Sequence, residues 1–220
     1  MPTLIAIGGG GATHGTHPEL DRLCLDHAVR RPRVGYIGTA NGDDPEKFDS
    51  FCSALAPMTS AIRPLSSGAD AAAAALWAER LDLIYVAGGN PVVLVDHWNA
   101  AGISDVLINA FRRGVVLAGV SAGAMCWFES FLWRTPENGL QVARGLGLIE
   151  GTFTPHSSTE PERRAQMKER AKGGEIAGGY AVDDGAALVF RGETFHPYPP
   201  EGPPRVYGID AQGSETILGC

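Results

Sequence analysis

At 220 residues and a formal net charge of -7, the chain is long enough for one large domain with a substantial core, and it lacks the basic balance that nucleic acid or an anionic membrane calls for. Its 44% hydrophobic and 20% charged residues are ordinary for a globular protein, and no apolar run approaches the roughly 18 residues of a membrane span. Cys24, Cys52, Cys126 and Cys220 show no C-x-x-C spacing, and the N-terminus MPTLIAIGGGG lacks the basic lead and long apolar core of a signal peptide, so reduced thiols and a cytoplasmic setting are expected.

In chain order, Leu4–Ile7 reads as a strand that runs into the flexible loop Gly8-Gly9-Gly10-Gly11. Pro18–Ala28 spaces Leu20, Leu23, Cys24 and His27 along one helical face, with Pro18 suited to a first turn. Arg33–Ile37 is a second strand. Pro45–Leu55 and Ala71–Ala78 are helices, the latter capped by Asp70, with an edge strand near Ala61–Pro64 between them. Leu81–Val86 is a buried strand stopped by Ala87-Gly88-Gly89-Asn90. Val92–Ala101 and Val106–Arg112 are helical, and Val115–Ala118 is the next strand. Strands separated by helices predict an α/β fold: a doubly wound, mostly parallel sheet with helices on both faces, in a flavodoxin-like three-layer sandwich. Such sheets place their sites at the carboxyl ends of the strands, where Gly8–Gly11 and Gly88–Asn90 fall.

Farther on, Glu160–Lys172 reads as a polar helix. Gly179–Val182 and Ala186–Phe190 flank Asp183-Asp184-Gly185 like a hairpin, and Pro197–Pro204 is a proline-rich loop. Arg205–Ile209 and Thr216–Leu218 are expected to finish the sheet. Without an internal repeat or long linker, residues 1–220 read as a single domain.

The strand at Val115–Ala118 drives into Gly119-Val120-Ser121-Ala122-Gly123, a G-x-S-x-G pattern ahead of a helix. Ser121 is then at the tip of a tight turn whose following helix offers free N–H groups to an oxyanion. The competing reading is a small-residue turn that only packs well. A serine nucleophile needs a base. Of six histidines, His27 and His97 lie in helical patterns and His196 in the proline-rich loop. His14 and His17 form an H-x-x-H without a carboxylate at ligand spacing, so no metal is expected. His156, in Thr154-Pro155-His156-Ser157 near the end of a candidate strand, is the strongest base.

Four segments in order, AGGNPVVL (87–94), GVSAGAMCWF (119–128), GLGLIEGTFTPH (145–156) and YAVDDGAAL (180–188), resemble the peptidase E family of serine peptidases, which includes the aspartyl dipeptidases, and IAIGGGG looks like its first strand and loop. The resemblance extends the fold expectation to a class I glutaminase-like sandwich. It implies that Ser121 is the nucleophile, that His156 is the base, and that the N–H groups of Gly89 and Ala122 form the oxyanion hole. It places a substrate carboxylate on Arg163 or Arg164, whose guanidinium fork suits a carboxylate. Asn90 is assigned to substrate binding or, as the favoured role, to capping the following helix.

The departure is the third triad member. The family keeps an aspartate in the loop after the nucleophile helix, and Glu129–Asn138 holds none. Glu137, beyond Pro136, is the expected acid of a Ser-His-Glu triad. Glu129, eight residues past Ser121 or about 12 Å along a helix, is the second choice, ahead of Glu160 or a Ser-His dyad.

The expected activity is hydrolysis of short peptides, dipeptidase-like and including Asp-X, through an acyl-enzyme. The alternatives are a cyanophycinase-like hydrolase of β-linked aspartyl peptides and a non-catalytic binding module with GGGGATHG near a ligand. No cofactor is expected. The expected partners are a small peptide and a second copy of the chain in a homodimer, with neither nucleic acid nor membrane.

Overall fold

The computed structural model describes all residues except Pro136, Pro200 and Cys220, so one proline of the 197–204 segment and one of the four cysteines lie outside the description. The first half of the chain forms β1 (Thr3–Ile7), α1 (Pro18–Asp26), β2 (Arg33–Ile37), α2 (Pro45–Leu55), β3 (Ala61–Leu65), α3 (Ala71–Ala78), β4 (Leu83–Val86), α4 (Pro91–Ala101), α5 (Ile103–Arg112) and β5 (Val116–Val120). Local chemistry sets several of these boundaries. Asp70 accepts a hydrogen bond from the Ala73 N–H and Asp44 one from the Glu46 N–H, while Asn90 accepts from both Val92 and Val93 at the start of α4.

Strand alternation then builds the layers. Leu4 and Ala6 of β1 and Ile84 and Val86 of β4 join one buried cluster with Leu94, Trp98 and Leu107 of α4 and α5. Ile5, Ile7, Leu83 and Tyr85 point the other way, against Leu20 of α1 and Phe51 and Leu55 of α2. Burying each such large side chain contributes about 1.5–3 kcal/mol, so these two faces set the sheet's position. Strands β3, β2, β4, β5 and β1 pair in parallel, and the sheet has helices on both faces as expected.

The second half departs from the sequence reading. After a four-residue helix, α6 (Ala122–Met125), come β6 (Phe128–Thr135), β7 (Gly139–Arg144), β8 (Ile149–Thr154), α7 (Pro161–Lys172), β9 (Gly179–Val182), β10 (Ala187–Arg191), β11 (Thr194–Tyr198), β12 (Val206–Ile209) and β13 (Glu215–Leu218). They complete a seven-stranded sheet in the order β11-β10-β1-β5-β4-β2-β3 and form a second, six-stranded sheet in the order β13-β12-β9-β8-β6-β7. The segments at 205–209 and 216–218 therefore belong to the second sheet and not to the first. Part of the 197–204 segment extends β11, which pairs antiparallel with β10 at the edge of the first sheet.

The 179–190 region is not a hairpin. β9 pairs with β8 and β12, whereas β10 pairs with β1 and β11, so Asp183-Asp184-Gly185 carries the chain from one sheet to the other. Phe128, Phe131, Phe153, Val182 and Val206 of the second sheet share one buried cluster with the first. Its other face is covered by Met167 and Ala171 of α7 against Leu132, Ala181, Tyr207 and Ile209. Among the described residues no helix is long and apolar enough to cross a membrane.

Candidate active site

Ser121 lies between β5 and α6 with φ 53° and ψ -115°, a backbone conformation that costs a non-glycine residue on the order of 1–3 kcal/mol and marks functional sites. Its N–H donates to the Ile7 carbonyl at 3.0 Å, and its carbonyl accepts from Ala124 and Met125, which ties the turn to β1 on one side and to α6 on the other. The turn closes because a Cβ at Gly119 would overlap the Gly123 backbone and one at Gly123 would overlap Val86.

His156 follows β8, also at positive φ (57°). Its carbonyl accepts from the Glu160 N–H at 2.7 Å, and the next residue, Ser157, donates its N–H to Val182 of β9 at 3.0 Å. The ring so held has Nε2 2.9 Å from Ser121 Oγ and Nδ1 2.6 Å from Asp184 Oδ1. Because β8 and β9 are parallel neighbours, His156 and Asp184 emerge side by side from adjacent strand ends. The other carboxylate oxygen, Oδ2, accepts from Thr159 Oγ1 at 2.6 Å and from Ser158 Oγ at 3.2 Å, and the Asp184 N–H donates back to Ser158 Oγ. The hydrogen bond from His156, joined by those from Thr159 and Ser158, outweighs partial burial and lowers the Asp184 pKa to about 2.

The carboxylate beside the His156 ring is therefore Asp184 and not Glu137, which the sequence reading expected there. Glu137 is exposed in the turn between β6 and β7. Glu129 is not on a helix either: α6 ends at Met125, and Glu129 in β6 uses Oε2 to accept the Gly151 N–H at 2.8 Å. Glu160 is committed elsewhere. Burial works to raise its pKa, but hydrogen bonds from Arg163 and Arg134 outweigh burial and hold it low.

The first glycine loop supports this arrangement. Gly9 bridges to Asp184, and the Gly185 N–H donates to the Gly9 carbonyl at 2.9 Å. A Cβ at Gly9 would overlap Asp184 Oδ1 and come within 2.8 Å of His156 Nδ1. Gly9→Ala is thus expected to push the carboxylate off the ring and lower kcat by about 10²–10⁴, up to the cost of losing the orienting acid, with little change in KM. Steady-state kinetics check this, and a kcat within twofold of the parent would contradict it.

Ser121 and His156 open onto a hollow of about 390 Å³ that is also lined by Gly89, Asn90, Trp133, Arg134, Glu160 and Arg163. Ala122 is at the first position of α6, where an N–H has no intrahelical acceptor. Arg163 is buried, with Nη1 donating to the Leu132 carbonyl at 2.9 Å and Nε 3.1 Å from Glu160 Oε2. Arg134, missed in the sequence, is 2.8 Å from Glu160 and also pairs with Glu162. Arg164 faces elsewhere, 3.4 Å from Glu215 and stacked on Tyr207. Asn90 caps α4 while also lining the hollow.

The remaining histidines do not gather on a metal. His14 Nδ1 is 3.1 Å from the Gly10 carbonyl, His17 pairs with Glu19, and His196 is exposed on β11. Among the described residues no group of three or more His, Cys, Asp or Glu side chains could hold a metal ion. The stretch from Gly11 to Thr16 borders a larger hollow of about 770 Å³ against α2.

A serine on a strained strand-to-helix turn, hydrogen-bonded to a histidine that is itself bonded to an aspartate, on an α/β sheet, defines the hydrolase class. More particularly, the chain belongs to Peptidase family S51, whose family model matches residues 4–198. It is 35% identical over 199 residues to the uncharacterized peptidase YgaJ of Bacillus subtilis (strain 168), covering 86% of this chain and 84% of that relative. Its fold is similar to that of a peptidase from an acI-B1 Actinobacterium, with a TM-score of 0.78 at 21% identity over 99% of this chain and 94% of that one. A candidate peptidase E protein of Listeria monocytogenes EGD-e gives a TM-score of 0.69 at 17% identity, covering 90% and 98% of the two chains. The family resemblance in the four sequence segments and the expected three-layer fold therefore hold, and peptide-bond hydrolysis is the activity class.

Proposed function

We propose that the protein is a serine peptidase that cleaves short peptides through a Ser121–His156–Asp184 triad. The hydrogen-bonded line from Asp184 through His156 to Ser121 is the observation that carries this reading. Ser121 Oγ attacks the scissile carbonyl carbon while its proton passes to His156 Nε2, and the carbonyl oxygen becomes an oxyanion held by the N–H groups of Gly89 and Ala122. The C–N bond then breaks as His156 returns the proton to the leaving amine, leaving an ester on Ser121. Water, deprotonated by His156, attacks the ester carbonyl; as the C–Oγ bond breaks, His156 Nε2 returns that proton to Ser121 Oγ and the acid product leaves. Asp184 stays ionised throughout, holding the ring in the tautomer with Nδ1–H and stabilising the imidazolium.

The hollow's size and charge favour small substrates with no strict demand for an N-terminal aspartate. Arg134 and Arg163 are already opposed by Glu160 and Glu162, so a substrate carboxylate would have to displace a protein carboxylate. A panel of Asp-X, Glu-X and neutral dipeptides and tripeptides tests this. Turnover blocked by a fluorophosphonate is expected, with Asp-X within about tenfold of neutral peptides, a gap of about 1.4 kcal/mol in the transition state. Absence of hydrolysis across the panel, or turnover insensitive to the reagent, would count against the reading.

A further inference from the structure

The oxyanion hole needs the Gly88–Gly89 peptide turned the right way, and the fold holds that turn from a segment far away in sequence. After β2 the chain makes a 3-10 turn over Thr39–Asn41. Asn41 Nδ2 donates to the Gly88 carbonyl at 3.0 Å, and the Asn90 N–H donates to the Ala40 carbonyl at 2.7 Å, so the two ends of the glycine loop are clamped to one turn. The Asn41 amide has only one consistent orientation, since its Oδ1 accepts the Asp44 N–H at 3.1 Å, which leaves the NH₂ for the carbonyl.

The 88–89 peptide is not among the cis bonds, and a trans peptide directs its N–H opposite to its C=O. With the Gly88 carbonyl drawn to Asn41, the Gly89 N–H faces the opposite side, where Gly89 borders the Ser121 hollow and a Cβ on Gly88 would be 3.4 Å from Ser121 Cβ. Gly89 has φ 149°, and a Cβ there would overlap the Ala40 carbonyl, so only glycine fits against the clamp.

We propose that Asn41 is a positioning residue for catalysis: by holding the Gly88 carbonyl, it aims the Gly89 N–H at the developing oxyanion. This inference rests on the serine peptidase reading. Asn41 does not touch the reacting atoms itself. Asn41→Asp keeps the acceptor for Asp44 and replaces the donor with an oxygen that repels the Gly88 carbonyl, whereas Asn41→Ala removes both.

The test measures kcat and KM for a cleaved dipeptide, the inhibition constant of a peptide aldehyde and the melting temperature of each variant. Both variants are expected to lose about 10–10² in kcat, somewhat less than the 10²–10³ of deleting an oxyanion donor outright, with KM within about threefold. The aldehyde, which forms an oxyanion on Ser121, should weaken by the same factor as kcat/KM. A merely structural role would instead lower the melting temperature and raise KM without that parallel, and would overturn the proposal. So would a kcat within twofold of the parent in Asn41→Asp. If the parent protein neither hydrolyses peptides nor reacts with a fluorophosphonate, the peptidase reading falls and this inference with it. An active parent with unaffected variants removes this inference alone.

Discussion

Asp184→Asn is expected to lower kcat by about 10⁴ while leaving KM and the fold nearly unchanged. An asparagine amide can present its NH₂ to Nδ1, which favours the imidazole tautomer with the proton on Nε2 and so removes the acceptor that Ser121 needs. The carboxylate is fixed through both of its oxygens, with His156 Nδ1 2.6 Å from Oδ1 and Thr159 and Ser158 donating to Oδ2. Glu137→Gln, on an exposed turn, should leave the rate within about twofold, because a surface substitution away from the site changes little. Steady-state kinetics of the two variants decide between the acids, and a large loss in Glu137→Gln with a near-normal Asp184→Asn would reverse the assignment.

The pH dependence follows from the same carboxylate. Its pKa is depressed to about 2, chiefly by the His156 hydrogen bond, so its contribution to stability is fully present above the unfolded value of about 3.9 and is lost as pH falls through about 2. Asp184 therefore stays ionised at every pH above about 4, and a loss of kcat above that pH would not belong to it.

Ser121→Ala should cost about 10⁶ in kcat, near the full value of a triad, since without Oγ no acyl-enzyme forms. The strained backbone at φ 53° tolerates alanine no worse than serine, and the turn's bonds to Ile7, Ala124 and Met125 are made by the backbone, so the melting temperature should hold. The double variant Ser121→Ala, Asp184→Asn should be no slower than Ser121→Ala alone, because residues acting as one unit are not additive. Retained peptidase activity in Ser121→Ala, or further loss in the double variant, would show that the three side chains do not act together.

The meeting of Ser121 and His156 is legible in the sequence because each depends on short-range chemistry: small residues around a serine at a strand end, and a proline before a histidine. The parallel part of the first sheet is legible for a similar reason, since β1 to β5 are short apolar runs set off by helices with recognisable caps such as Asp70 and Asn90. The acid is not. Asp183-Asp184-Gly185 between two apolar runs has the local chemistry of a hairpin turn, and only distant pairing, β9 to β8 and β10 to β1, turns it into a crossing between sheets. The YAVDDGAAL segment carries a family resemblance, yet nothing within it shows that Gly9, some 175 residues away in sequence, abuts Asp184.

The second sheet is hidden in the same way. The sequence measures Glu129 along a helix from Ser121, but α6 ends at Met125 and Glu129 falls in β6, a strand that only its pairing with β7 and β8 defines. Arg163 and Arg164 cannot be separated by sequence, although helical rotation puts one beside Glu160 and the other against Glu215.

Intact-mass measurement of the protein after treatment with a fluorophosphonate, followed by peptide mapping, bears most directly on the central claim. A single adduct on Ser121 is expected, forming at least about 10²-fold more slowly in Asp184→Asn and not at all in Ser121→Ala. An adduct on another residue, or an unmodified protein that still hydrolyses peptides, would contradict it.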